Sequence, residues 1–443
     1  MMNHPVRADA NSLESQWMPF TPNKAFKKNP RLITASSGMY YTNHQGESVI
    51  DGSSALFCCP AGLSRPEIAD AVHQQMLSNT YSAPFGLGHP AAFSLSETVA
   101  RLLPDPMNHV FFANSGSEAI DTALKIALAY HRARGEGHRT RIVSRERAYH
   151  GVNMGGVALS GMVKNRETFN LTLPNIVHMR HTWQPENKFV RGQAETGGVE
   201  LANDLQRACE TFGGSTIAAV FVEPVAGSTG TLVPPKGYLE RLREICDLNG
   251  ILLVFDEVIT GFGRLGTPFA ADYFGVTPDI ITMAKALTNA AIPMGAVGVR
   301  DEIYDTVVNA SPENAIEMFH GYTYGGHPAA CAAGIAAQEI YVREGLFEKS
   351  AAMSEYFLDG IYSLKDHAAV FDIRGIGMMA GVEIKQKGNP GAAGGKAQLD
   401  LYNNGMHVKF TGETGIIAPP FISERKHIDE MIEKLQKTLD QQL

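Results

Sequence analysis

From about residue 105 to residue 300, short apolar runs alternate with stretches whose apolar positions recur every three to four residues. HVFFAN (109–114) leads into SEAIDTALKIALAYHRARGEG, and IAAVFVEP (217–224) precedes the amphipathic YLERLREICDLNG. ILLVFDEV (251–258), DIITMAK (279–285) and GAVGVR (295–300) repeat the strand-like pattern. Strands that are apolar throughout, rather than alternating, belong in a sheet covered on both faces. The pattern therefore predicts an α/β fold with a mostly parallel sheet. From about residue 328 the pattern turns mostly helical, then mixed α/β over 370–443. We divide the chain into an N-terminal segment (1–60) that belongs with the smaller domain, a large domain (61–327), and a C-terminal small α/β domain (328–443). The Gly-rich KQKGNPGAAGGKAQ (385–398) reads as a mobile loop.

Size supports two domains, since 443 residues exceed one ordinary core. A net charge of −8, from 38 basic and 46 acidic residues, disfavours a nucleic-acid partner. No run approaches the roughly 20 apolar residues that span a bilayer. The polar start MMNHPVRADANSLESQ lacks the apolar region of a secretion signal. Cys58, Cys59, Cys209, Cys246 and Cys331 are odd in number and show no metal-ligand spacing. They read as buried free thiols in a reducing cytoplasm, with no metal site.

Four local features carry chemistry. NSGSEAID (114–121) lies between a strand and a long helix, where backbone N–H groups and the helix N-terminus attract a phosphate; an ordinary Ser-capped helix start looks the same. AYHGV (148–152) follows the strand RIVSR and offers Tyr149 as a face for a heteroaromatic ring, or as a plain loop tyrosine. In FDEV (255–258), Asp256 ends a strongly apolar strand, a costly place for a carboxylate without a cationic partner. A protonated pyridine nitrogen is one such partner, and a salt bridge or helix cap is another. Lys285 follows DIITMA among small and apolar residues, a setting for an imine-forming amine or for a lysine emerging to solvent. Each feature is weak alone. All four fall at carboxyl ends of predicted strands, where open α/β sheets bind ligands.

With these segments in that order, the sequence resembles the class III (ω-amino acid) aminotransferases of pyridoxal-5′-phosphate (PLP) fold type I. It is most like their ω-amino acid, or β-alanine, to pyruvate branch. WMPFTPN (17–23), GMYYTNHQGESVIDG (38–52), FVEPVAGSTG (221–230), VFDEVITGFGRLG (254–266), PDIITMAKALTN (278–289), FHGYTYGGHP (319–328) and RGIGMMAGVEI (374–384) extend the likeness over nearly the whole chain. The resemblance implies that the large domain binds PLP, that Lys285 is its covalent anchor and that Asp256 pairs with the pyridine nitrogen. Ser115, Gly116 and Ser117 would hold the phosphate. Tyr149, His150, Glu223 and Val258 would surround the ring. Thr323 would reach the phosphate of a neighbouring subunit, so the working unit would be a homodimer with shared sites, with pairing into a tetramer open. Phe57, Phe85, Tyr149 and Lys409 would face the substrate. The implied reaction moves an amino group from an ω-amino acid or amine, such as β-alanine or taurine, to pyruvate by ping-pong kinetics.

Two departures bear on the substrate. Relatives that use 2-oxoglutarate carry a glutamate just after EP-x-x-G, where this chain has Ser228. The pyruvate branch carries an arginine in V-R-x-x-G-[DE], where this chain reads VKFTGE (408–413) and has Lys409. Lysine keeps the charge but loses the planar fork. Phe57 stands where relatives often carry tryptophan. GFGRLG (261–266) matches the dinucleotide pattern but is soon followed by Pro268, and reads as the tight turn after the Asp256 strand. A PLP aminomutase or racemase on the same scaffold, and a nicotinamide oxidoreductase built on GFGRLG, are the alternatives.

Overall fold

The computed structural model describes residues 13–169 and 173–443. Residues 1–12, which hold most of the polar start, lie outside that range.

Three sheets organise the chain. An N-terminal sheet contains β1 (Ile33–Ser37), β2 (Tyr40–Asn43) and β3 (Ser48–Asp51). The large sheet contains β4 (His109–Ala113), β5 (Arg141–Arg145), β6 (Ile176–Met179), β7 (Ile217–Val222), β8 (Leu252–Asp256), β9 (Ile280–Met283) and β10 (Gly295–Val299). Its spatial order is β4-β10-β9-β8-β7-β5-β6. Every residue of β7 and β8 is buried, as expected for central strands with helices on both faces. The third sheet is antiparallel, with β11 (Val370–Ile376), β12 (Met379–Ile384), β14 (Lys409–Thr411) and β15 (Thr414–Ile417) in the order β11-β12-β15-β14. The short β13 (Met406–His407) leaves that region and pairs in parallel with β3, Met406 opposite Ile50.

The helices begin and end where the residues dictate. Helix Gly116–Ala133 starts at Ser115, whose hydroxyl accepts from the Glu118 amide at 3.2 Å. Helix Tyr238–Asn249 stops at Gly250, which takes the left-handed conformation (φ +63°) that glycine adopts without cost.

The large sheet is mostly parallel, as expected, and two details differ. β10 runs antiparallel to both β9 and β4. The link from β9 carries only the short 3-10 turn Lys285–Thr288, and a parallel return needs a crossover of a dozen or more residues. Nor is 385–398 all loop, because helix Ala392–Asn403 begins within it and buries Ala393, Ala397 and Leu401 on one face. Of its glycines, Gly394 marks a close approach. A Cβ on Gly394 would lie 1.8 Å from the Gly412 carbonyl oxygen.

One segment is strained. Ser54, Ala55, Leu56 and Phe57 all have φ between +46° and +68°. The Phe57 amide donates to the Ser53 carbonyl at 2.6 Å and the Cys58 amide to the Ser54 carbonyl at 2.6 Å, which closes one turn of left-handed helix. For L-residues this costs roughly 1–2 kcal/mol apiece, so the surroundings must impose it.

Candidate active site

The carboxyl ends of β4, β5, β7, β8 and β9 converge on a cavity of about 130 Å³. Gly116, Ser117, Tyr149, His150, Glu223, Asp256, Val258 and Lys285 line it together with Ile120, Gly151, Ile259 and Ala284. The four separate sequence features thus meet at one place. A cavity of roughly 150 Å³ takes up a benzene ring, so this volume suits one aromatic ring.

Asp256 is the last residue of β8 and is buried. Its register opposite Thr282 brings that hydroxyl to 3.3 Å of Oδ1, which also accepts from the Val258 amide at 3.1 Å. Oδ2 accepts from His150 Nδ1 at 2.8 Å. Three donors from three segments fix the carboxylate's orientation. Among the described residues the buried His150 Nε2 has no partner, a polar atom left free at the cavity wall.

Glu223 follows β7 and is buried, with Oε1 accepting from the Tyr149 amide at 3.0 Å. Burial pushes its carboxyl up to about 7, and nearby Asp256 adds to the rise, while His150 and Arg145 oppose it. Burial likewise raises the Tyr149 phenol, with Asp256 and Glu223 contributing. Lys285 opens the turn after β9 with φ +48°, an unfavourable conformation for lysine at the point where its amine enters the cavity.

The phosphate-like end is shaped by small residues. A Cβ on Gly116 would meet both Val258 methyls at 3.2 Å, and one on Gly151 (φ +90°) would lie 2.4 Å from Ser117 Oγ. Ser117 Oγ accepts from the Val152 amide at 3.0 Å. The Ser115 hydroxyl oxygen accepts in the helix cap, which leaves its O–H as a donor, although Ser115 is not among the residues that line the cavity.

Of the residues assigned to substrate, Lys409 lies nearby, its ammonium 6.0 Å from the Tyr149 ring centroid. Burial lowers its pKa first and the charge of Lys285 second, while Glu223 works the other way. Phe57 is buried outside the cavity lining but packs with Ile259, which is part of that lining. Phe85 and Thr323 are not brought to this cavity. Phe85 is exposed beside Gly321, and exposed Thr323 accepts at its carbonyl from the Tyr81 hydroxyl at 2.6 Å.

Sequence reasoning missed Gly151, Ile120, Ile259 and Ala284. Only Gly151 had a usable signal, as a glycine placed directly after the Tyr149–His150 pair. The five cysteines are free, four of them buried and Cys58 partly so. GFGRLG forms the turn after β8, with Gly263 at φ +104° and Gly266 at φ +88°, rather than the opening of a helix.

An open α/β sheet with lysine, acid, ring-sized cavity and helix N-terminus at its carboxyl edge defines a PLP-enzyme architecture. The family profile for class-III aminotransferases matches residues 23–439, and the chain belongs to that family, whose cofactor is PLP. It is 49% identical over 434 residues to an omega-aminotransferase of Caulobacter vibrioides, covering 98% of each chain. It is 47% identical over 438 residues to a beta-alanine–pyruvate aminotransferase of Pseudomonas aeruginosa, covering 98% of this chain and 97% of the other. Among solved structures, a thermostable (S)-enantioselective omega-transaminase from Thermomicrobium roseum superposes with a TM-score of 0.92 at 34% identity, over 98% of both chains. The omega-transaminase of Pseudomonas jessenii in complex with PMP gives a TM-score of 0.92 at 29% identity, over 98% of this chain and 97% of that one.

Proposed function

We propose that this enzyme transfers the amino group of an ω-amino acid or related amine to pyruvate, giving alanine, by ping-pong kinetics. The observation that carries the reading is the meeting of Lys285 and Asp256 on one ring-sized cavity with Lys409 beside it. Relatives named for β-alanine or ω-amino acids with pyruvate, 43–47% identical, support the substrate class.

When bound, PLP supplies an aldehyde that condenses with amines and a ring that delocalises the electron pair released at the substrate carbon. The cavity fits it by volume, by the unpartnered His150 Nε2 and by the bare backbone at Gly116 and Gly151. In this reading Ser115, Gly116 and Ser117 would receive the phosphate at the helix N-terminus. Asp256 would keep a proton on the ring nitrogen, and His150 holds Asp256 in place. Tyr149 and Val258 would flank the ring, and Glu223 fixes the Tyr149 backbone. Lys285 Nζ would hold the cofactor and, once free, would be the base that takes and returns a proton at the substrate carbon. Incubating the purified protein with PLP and then borohydride should add mass to the peptide containing Lys285. A colourless protein with no adduct there removes the reading.

The acid group of the donor falls to Lys409, which forms no ion pair of its own among the described residues. Lys409→Ala should lower kcat/KM for β-alanine at least about tenfold more than for a neutral amine, since hydrogen bonds to charged groups contribute about 1.5–3 kcal/mol. Equal losses for both donors would mean that Lys409 touches neither.

At the position where 2-oxoglutarate users carry glutamate, Ser228 is buried and its carbonyl accepts from Thr411 Oγ1 at 2.8 Å. Alanine and glutamate formation measured side by side should therefore show pyruvate preferred over 2-oxoglutarate by at least about tenfold. Parity would refute the argument from Ser228.

We assign Thr323 and Phe85 to a homodimer in which this face meets the partner's cavity. Exposed Phe85, Leu87, Phe93, Phe319 and Tyr324 supply an apolar surface for it. The domain division at residues 60 and 327 belongs to the same reading. It is supported by β13, which joins the N-terminal sheet to the C-terminal region. Free thiols throughout favour a cytoplasmic setting. Among the described residues no helix is long and apolar enough to cross a membrane.

A further inference from the structure

The cofactor reading leaves GFGRLG without a role, yet Arg264 at its centre is fully buried, at 1% exposure. No carboxylate lies within ion-pair distance of it among the described residues. Its Nη1 donates to the carbonyls of Met378 (3.0 Å) and Pro419 (2.8 Å), and Nη2 donates to Ser54 Oγ (3.2 Å). The guanidinium also lies over the Phe421 ring at 4.6 Å. Burial lowers its pKa to about 9, with Asp51 the leading countercharge. A buried cation is costly unless its contacts are needed, and here they join three segments distant in sequence.

One of those segments is the left-handed turn at 54–57. Other anchors hold the same turn. Asp51 accepts from the amides of Ser53 (3.0 Å) and Ala55 (2.7 Å), and Ser54 Oγ donates to the Ala418 carbonyl at 2.7 Å. Ser53 Oγ donates to the Ile416 carbonyl at 3.2 Å and accepts from the Lys409 amide at 3.3 Å. The turn is therefore hydrogen-bonded to the backbone that carries Lys409. At its other end Phe57 packs with Val225 and Ile259, and the next residue, Cys58, lies within the field of Lys285.

We propose that Arg264 is a positioning residue for donor selection, clamping the strained turn Ser54–Phe57 so that Phe57 and Lys409 stand at a fixed separation on the substrate side of the Lys285 cavity. Strain makes the clamp necessary. Without it, L-residues at positive φ relax towards right-handed conformations, and both side chains shift. The inference rests on the aminotransferase reading of the cavity.

The test uses the PLP-loaded, full-length enzyme with pyruvate and compares kcat/KM for benzylamine with kcat/KM for β-alanine. Ser54→Ala removes the hydroxyl that Arg264 grips, and should raise that ratio at least about fivefold through KM, with kcat for β-alanine within about twofold of wild type. Leu56 has φ +63° and is exposed, so Leu56→Gly relieves strain without emptying a core. Ser54→Ala/Leu56→Gly should bring the ratio at least halfway back to the wild-type value. If Ser54→Ala does not fold, Arg264→Lys reads the same ratio and should raise it by the same factor, because one ammonium cannot span three acceptors. A ratio moved less than about fivefold, whatever the fall in Tm, overturns the proposal, as does a double variant no closer to wild type. A wild-type enzyme without transaminase activity would instead overturn the reading beneath it.

Discussion

Lys285→Ala should lower kcat by about 10⁴-fold or more, leaving a protein that binds PLP without covalent attachment. The size follows from two functions lost in one atom. A positioned general base contributes about 10²–10⁴ on its own, and under the proposed function the covalent anchor for the cofactor aldehyde is removed with it. Residues acting as a unit do not contribute additively, so a second change at Asp256 should cost less in this background than in wild type. Added small amines should restore part of the rate by supplying the missing base. Single-turnover assays with β-alanine are the measurement, and retention of more than about 1% of wild-type kcat would exclude Lys285 from the proton transfer.

Asp256→Asn should cost about a hundredfold to a thousandfold in kcat. The amide oxygen can still accept from the Val258 amide, so the local fold survives. What disappears is the negative charge that the proposed function sets against the ring nitrogen. Removing one partner of a buried charge pair costs about 3–5 kcal/mol, and each 1.4 kcal/mol is a factor of ten. His150 Nδ1 would also lose its charged acceptor at the 2.8 Å contact. A loss in kcat of tenfold or less would show that the carboxylate serves packing alone.

The large sheet was legible because β7 and β8 are apolar at every position, and only a doubly covered strand tolerates that. The sense of β10 was not legible, because GAVGV carries no directional information and the short link before it decides its direction. Lys285 and Asp256 could be found because polar residues at the ends of apolar strands are conspicuous. Ile259 and Ala284 could not, since an apolar wall residue reads like any core residue. Phe85 and Thr323 illustrate a different gap. Family resemblance assigned them to the site, yet both are exposed and away from the cavity, and nothing in their residue types could have shown that. The left-handed turn at 54–57 had no sequence signal at all, for SALF contains none of the residues that favour positive φ.

The parallel pairing of β13 with β3 has a consequence for biosynthesis. Ile50 leaves the ribosome before the whole of the large sheet, and its neighbour Met406 only after it. The large sheet can close on its own while the chain is still growing, whereas the wall bearing Lys409 waits for β13 to β15. Nascent chains should therefore gain the core around the large sheet before the wall that carries Lys409 is built, and selectivity between amines should mature after that core.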